Sequence, residues 1–129
     1  MSNRVVLDTS ALLALLQNEP GGTIVKPLIQ FSCMSTVNIT EVLTSLQRMK
    51  ITMDTAYTLV TEIIPSIIPF DLEQAAHTAQ LQPYTQPKGL SLGDRACITL
   101  GIKLQVPIYT ADKIWAELKL NNADIKLIR

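Results

Sequence analysis

The chain has 129 residues, of which 47% are apolar and only 17% charged, a composition that fills a core and excludes a disordered chain. Eleven basic residues balance eleven acidic ones, so no global field draws in nucleic acid, and any such binding must rest on local patches. The length suits one domain, residues 1–129.

In chain order, "VVL" within residues 4 to 8 reads as a short buried strand, and residues 11 to 18 as a helix stopped by Pro20-Gly21-Gly22. Arg4 ahead of an apolar stretch imitates the start of a secretory signal. Asp8 interrupts that stretch, however, and no small-residue cleavage site follows. No apolar run approaches bilayer-spanning length, so no membrane association is expected and the location expected is cytoplasmic. "CMSTV" (33 to 37) is the next strand, followed by helices over 39 to 49 and 54 to 63. "SIIPF" (66 to 70) is a strand in which Pro69 signals a sheet edge or an early stop. A helix from Asp71 to about Leu81, a loop over 85 to 89 and a helix over 92 to 104 come next. The chain closes with a strand over 106 to 110, a helix in "DKIWAELKL" and a strand over 125 to 128. Cys33 and Cys97, outside any CxxC spacing, read as buried thiols.

Strands alternating with helices imply parallel crossovers, hence a sheet covered on both faces. Ligands of such sheets bind beyond the carboxyl ends of the strands, so chemistry is expected at strand-to-helix junctions. Four junctions carry an acid: Asp8, Glu41, Asp94 and Asp112. Each has an ordinary explanation. "NITE" places Asn38 three residues before Glu41 and "SLGD" places Ser91 three before Asp94, both in capping-box register. Asp112 in a first turn gains about 0.3–1 kcal/mol from the helix dipole. Taken singly, capping is the better reading of each acid. Together they pose a conflict, because two carboxylates about 4 Å apart repel by about 4 kcal/mol at an effective dielectric near 20. A hard divalent cation with oxygen ligands, Mg²⁺ or Mn²⁺, resolves it. Zinc has no Cys/His cluster to use, and the single histidine, His77, reads as a helix-face residue.

These segments resemble the PIN-domain family, and within it the VapC-type toxins of toxin–antitoxin pairs. "VVLDTSALLALL" is similar to the family's first acid motif at Asp8, with Ser10 as the hydroxyl two residues on. "STVNITEVLTSL" resembles the segment of the second acid, Glu41. "LSLGDRACITLG" is similar to the third motif at Asp94, and "PIYTADKIWAEL" to the fourth, with Thr110 and Asp112. The ordered set spans nearly the whole chain. The resemblance implies an α/β fold, a three-layer α/β/α sandwich on a central parallel sheet. It implies a Mg²⁺- or Mn²⁺-dependent endoribonuclease acting on RNA, with a cognate antitoxin as partner and a homodimer as the assembly. Asp8, Glu41 and Asp94 are the expected metal ligands and Asp112 the expected fourth. Ser10 and Thr110 complete the catalytic set by orienting acids or water.

Other readings differ in definite ways. A haloacid dehalogenase-like phosphotransferase wants a second aspartate where Ser10 stands, and a receiver domain wants paired acids at the first strand. A PIN-like binding module, or a housekeeping RNA-processing nuclease working within a complex, is the alternative function. Trp115 falls at core spacing with Leu118. Arg48, Lys50, Arg95 and Lys113 read as solvated surface charges before they read as a phosphate patch. RNA selection is expected in the loop 83 to 90 and helices 39 to 63. Leu46, Met49, Ile51 and Met53 are candidates for the dimer surface.

Overall fold

A computed structural model describes residues 3–129. The strands are β1 (Val5–Leu7), β2 (Ser32–Ser35), β3 (Ser66–Ile68), β4 (Ile108–Thr110) and β5 (Ile125–Leu127). The helices are α1 (Thr9–Leu16), α2 (Gly22–Val25), α3 (Thr36–Arg48), α4 (Met53–Ile63), α5 (Leu72–Gln80), α6 (Gln82–Thr85) and α7 (Leu92–Leu104). The strands form one parallel sheet in the order β3-β2-β1-β4-β5, with Val5 opposite Ser32 and Val6 opposite Ile108. β3 is an edge strand and ends before Pro69, as expected of a residue with no N–H to give the ladder.

Alternation along the strands sends side chains to two cores. Leu7 and Met34 pack with Leu12, Val42, Leu46 and Val60 from α1, α3 and α4. Val6, Cys33 and Ile108 face the other way and pack with Cys97, Ile98 and Leu100 of α7 and with the fully buried Trp115. Helices therefore cover both faces, the three-layer arrangement expected from the alternating pattern. Cys33 and Cys97 are both buried free thiols.

Several boundaries differ from the sequence reading, each for a local reason. α1 starts at Thr9 rather than 11, because Asp8 caps it. Pro20-Gly21-Gly22 does more than stop a helix. Gly21 takes φ +95°, which favours glycine, and opens the four-residue α2, itself continued by a 3-10 helix over Lys26–Phe31. Elements this short carry no periodicity to read. The segment 85 to 89 is not a plain loop: α6 runs into a 3-10 turn over Gln86–Lys88, which ends at Gly89 with φ +73°. "DKIWAELKL" forms only a 3-10 helix over Lys113–Glu117, not a full α-helix.

The most consequential difference is at α3. Its N-cap is Ser35, whose hydroxyl accepts from the Val37 N–H. Asn38 is therefore inside the helix and buried, and Glu41 lies in the second turn, not the first. The capping-box reading of "NITE" is wrong. No helix among the described residues is long and apolar enough to cross a membrane.

Candidate active site

Asp8 leaves the end of β1 and is only 4% exposed. Its Oδ1 accepts from the Ala11 N–H at 2.8 Å, the N-cap bond of α1, and from the Ser10 hydroxyl at 2.7 Å. Its Oδ2 accepts from the Thr110 hydroxyl at 2.5 Å. Those hydroxyls are themselves fixed by backbone at the end of β4: Ser10 Oγ accepts from the Ala111 N–H and Thr110 Oγ1 from the Asp112 N–H. Burial pushes the Asp8 carboxyl up to about 6, against the pull of Thr110, Ser10 and the Ala11 amide, and the Asp94 charge adds to the rise.

Asp94 sits in the first turn of α7 in a complete capping box. Ser91 Oγ accepts from the Asp94 N–H at 3.2 Å, and Asp94 Oδ2 accepts from the Ser91 N–H at 2.9 Å. Its pKa is raised chiefly by desolvation, which outweighs the two Ser91 bonds, with the Glu41 and Asp112 charges adding to it. Asp112 is exposed and caps the 3-10 helix after β4 through Oδ1, which accepts from the Ile114 N–H. The capping reading thus holds for three acids.

Glu41 caps nothing. Its half-buried carboxylate is held by side chains alone: Oε1 accepts from the Thr9 hydroxyl at 2.6 Å and from Asn38 Nδ2 at 3.1 Å. Asn38 Nδ2 also donates to the Gly93 carbonyl at 3.0 Å, linking α3 to α7. Asn38 Oδ1 is buried without a hydrogen-bond partner. Such an atom costs about 1–3 kcal/mol, so the carboxamide is held where it is for its donors.

The six expected site residues gather at the carboxyl ends of β1 and β4, the second turn of α3 and the first turn of α7. Asp94 is within electrostatic reach of Asp8, Glu41 and Asp112. The buried Cys97 thiol, one turn further along α7, is pushed well up by burial and then by Asp8, Asp94 and Glu41 together. Three of the carboxylates commit one oxygen locally and keep the other: among the described residues Asp94 Oδ1, Asp112 Oδ2 and Glu41 Oε2 accept no hydrogen bond, whereas Asp8 has both oxygens engaged, Oδ2 by the hydroxyls only. Among the described residues no group of three or more His, Cys, Asp or Glu side chains is placed, as it stands, so that it could hold a metal ion. The donors are all oxygen and carry excess negative charge, a set that fits a hard divalent cation and not zinc.

The remaining candidates fall elsewhere. His77, on α5, lines a cavity of about 970 Å³ together with Tyr84, Lys103 and Lys119, and none of the four acids lines it. Arg95 is half-buried and donates to the Thr78 carbonyl at 3.0 Å, while Arg48, Lys50 and Lys113 are exposed. The sequence reading passed over Thr9 and Gly93, and it misassigned Asn38. Asn38 had a usable signal, since a carboxamide three residues before a glutamate on a helix shares its face.

The PIN domain family profile matches residues 5–120, and the chain belongs to that family. Its fold is shared by solved toxin–antitoxin structures at low sequence identity. The DNA-bound VapBC of Salmonella typhimurium has TM-score 0.73 at 14% identity, over 100% of both chains. VapBC2 of Rickettsia felis, bound to a promoter DNA fragment, has TM-score 0.72 at 14% identity, over 95% of this chain and 97% of that one. VapBC-1 of nontypeable Haemophilus influenzae has TM-score 0.70 at 15% identity, covering 96% and 97%. No curated protein matches the sequence.

Proposed function

We propose that the protein is a Mg²⁺- or Mn²⁺-dependent endoribonuclease and the toxin of a toxin–antitoxin pair. The observation that carries this reading is the set of four carboxylates at one sheet edge, three of which keep an oxygen that their own cap or clamp does not use: Asp94 Oδ1, Asp112 Oδ2 and Glu41 Oε2. Asp8, Asp94 and Glu41 are the ligands, direct or through water, and Asp112 completes the set from its exposed position. When bound, the divalent ion supplies positive charge at the phosphodiester and lowers the pKa of water.

The chain's own residues do the rest. Ser10 and Thr110 orient the Asp8 carboxylate: both hydroxyls donate to it and accept backbone N–H groups, which fixes their rotors. Neither is placed as a nucleophile, because the partner that takes its hydrogen bond is a ligand acid and not a free base. An acid cluster also suits a basic segment of an antitoxin, since arginine pairs bidentately with carboxylates. The VapBC neighbours, which are such pairs by name, support that partner. For the homodimer, Met49 and Met53 stand 43% and 44% exposed with Tyr57 on α4, whereas Leu46 is buried in the core and Ile51 packs against it. The α3–α4 corner is therefore the proposed self-association surface, narrower than the four residues first considered. Light scattering across a concentration series tests it; a monomer mass throughout counts against it.

The reading is tested by RNA cleavage with Mg²⁺, with Mn²⁺ and in EDTA. Cleavage leaving 5′-phosphate ends with either ion, and none in EDTA, is expected. Undiminished cleavage after thorough chelation overturns the metal mechanism.

A further inference from the structure

Gly93 is in the first turn of α7, immediately before Asp94, and it is buried. Its backbone does not need glycine: the positive-φ glycines among the described residues are Gly21 and Gly89. A glycine inside a helix also weakens that helix relative to alanine. The reason for its absent side chain lies outside the helix. A Cβ built on Gly93 would stand 2.6 Å from both Cδ and Oε1 of Glu41 and closer still to Oε2. Glu41's carboxylate fills the place where a side chain at 93 would begin.

Two further contacts hold it there. Asn38, 1% exposed, gives one Nδ2 hydrogen to Glu41 Oε1 and the other to the carbonyl of Gly93 itself. Both partners are acceptors, which fixes the orientation of the carboxamide. Thr9, next to Asp8 in the chain, donates to the same Oε1. Glu41 is thus clamped from α1, from its own helix α3 and from the bare backbone of α7. The clamp bridges the two helix layers at the sheet edge where Asp8 and Asp94 stand.

We propose that Gly93 is a positioning residue: its missing side chain admits the Glu41 carboxylate against the first turn of α7, and Asn38 and Thr9 hold it there beside Asp94. What Glu41 then does for a divalent ion rests on the function proposed above. The atoms a Cβ meets are the far end of a flexible side chain, so alanine at 93 displaces the carboxylate without unfolding the protein.

The test is a cycle of Gly93→Ala and Glu41→Ala, read first as thermal unfolding in EDTA, where no metal contributes. With Glu41 present, Gly93→Ala lowers Tm by about 3 °C. With Glu41→Ala, the same substitution raises Tm by a similar amount, because only the helix-propensity gain is left. Mn²⁺ titration followed by electron paramagnetic resonance is the second readout. Gly93→Ala weakens Mn²⁺ binding tenfold or more, the usual scale for losing a group that orients a ligand, and it does not weaken it further once Glu41 is alanine. An additive Tm cycle overturns the proposal. So does an unchanged Mn²⁺ affinity in Gly93→Ala when the wild type binds the ion. A wild type that binds no Mn²⁺ and cuts no RNA, with the cycle still non-additive, overturns the metal reading instead and leaves the clamp standing.

Discussion

Asp8 and Glu41 stand at the same sheet edge and are held in opposite ways. Asp8 is seated by its immediate neighbours: it caps the helix that follows it, and the hydroxyls of Ser10 and Thr110 close over it. Glu41 lies in mid-helix, where no backbone donor is free, and depends on the side chains of Thr9 from α1 and Asn38 from its own helix, and on a glycine of α7. The difference separates structural use from chemical use. Asp8, Asp94 and Asp112 each have a capping role that would justify an acid without any function. Glu41 has none: among the described residues it caps nothing and pairs with no base, so its purpose rests on the function proposed above.

The largest expected effect is on cleavage. Asp94→Asn keeps an oxygen for the Ser91 N–H and removes only the charge. A capping role predicts little change; a metal role predicts loss of about a thousandfold, the several kcal/mol a bound ion supplies. Measured kcat on a defined RNA in Mg²⁺ decides between them.

Next comes the pH dependence of the metal-free protein, which probes the burial of Asp8. Asp8 sits at about 6 when folded and has an ordinary value of 3.8. Below about 4 the carboxyl is protonated in both states and costs nothing. Between about 4 and 6 the unfolded chain releases the proton while the folded protein retains it, so stability falls as pH rises, by about 3 kcal/mol in all. Chemical denaturation in EDTA at pH 4, 5, 6 and 7 should show this decline; Asp8→Asn should flatten it. A flat profile in the wild type would mean that Asp8 is better solvated than its burial implies.

Thr9→Val probes the other side. It removes the 2.6 Å bond to Glu41 Oε1 and should lower stability by about 1–3 kcal/mol, since the donor served a charged group. Cleavage should fall about tenfold, a loss that Thr9→Ser restores. Smallest is the stability of Asp94→Asn. The Asp94 charge is net unfavourable in the fold even after its capping bonds, so the variant should be more stable than wild type in EDTA by about 1 kcal/mol. In Mg²⁺ the order should reverse, because the wild type binds the ion and is stabilised by it. Paired melts in the two buffers give the answer, and the same ranking in both would leave Asp94 as a cap.

The layered fold was legible because apolar runs such as "VVL" and "CMS" alternate with longer helical patterns, and α7 reads at its observed limits, 92 to 104. Asp8, Asp94 and Asp112 were legible as junction acids because local rules place them there. What was not legible depends on contacts between distant segments. Nothing near Gly93 in sequence tells of a glutamate 52 residues earlier, and Ser35 displaced Asn38 as the cap because β2 ends sooner than its β-branched continuation suggests. The 3-10 helix after Asp112 was misread for a related reason: apolar residues at helical spacing there fill a core around Trp115 without a full turn of α-helix to carry them.

β1 lies in the middle of the sheet, and its partner on one side, β4, is more than a hundred residues away in the chain, with Val6 opposite Ile108. Thr110, which closes over Asp8, arrives with that strand. During synthesis the first acid is made 102 residues before its hydroxyl partner, and the pair cannot form until β4 has been added. Closing so long a loop is slow and comes late. A nascent or truncated chain that stops short of β4 therefore carries Asp8, Glu41 and Asp94 yet lacks the strand that brings Thr110 over Asp8.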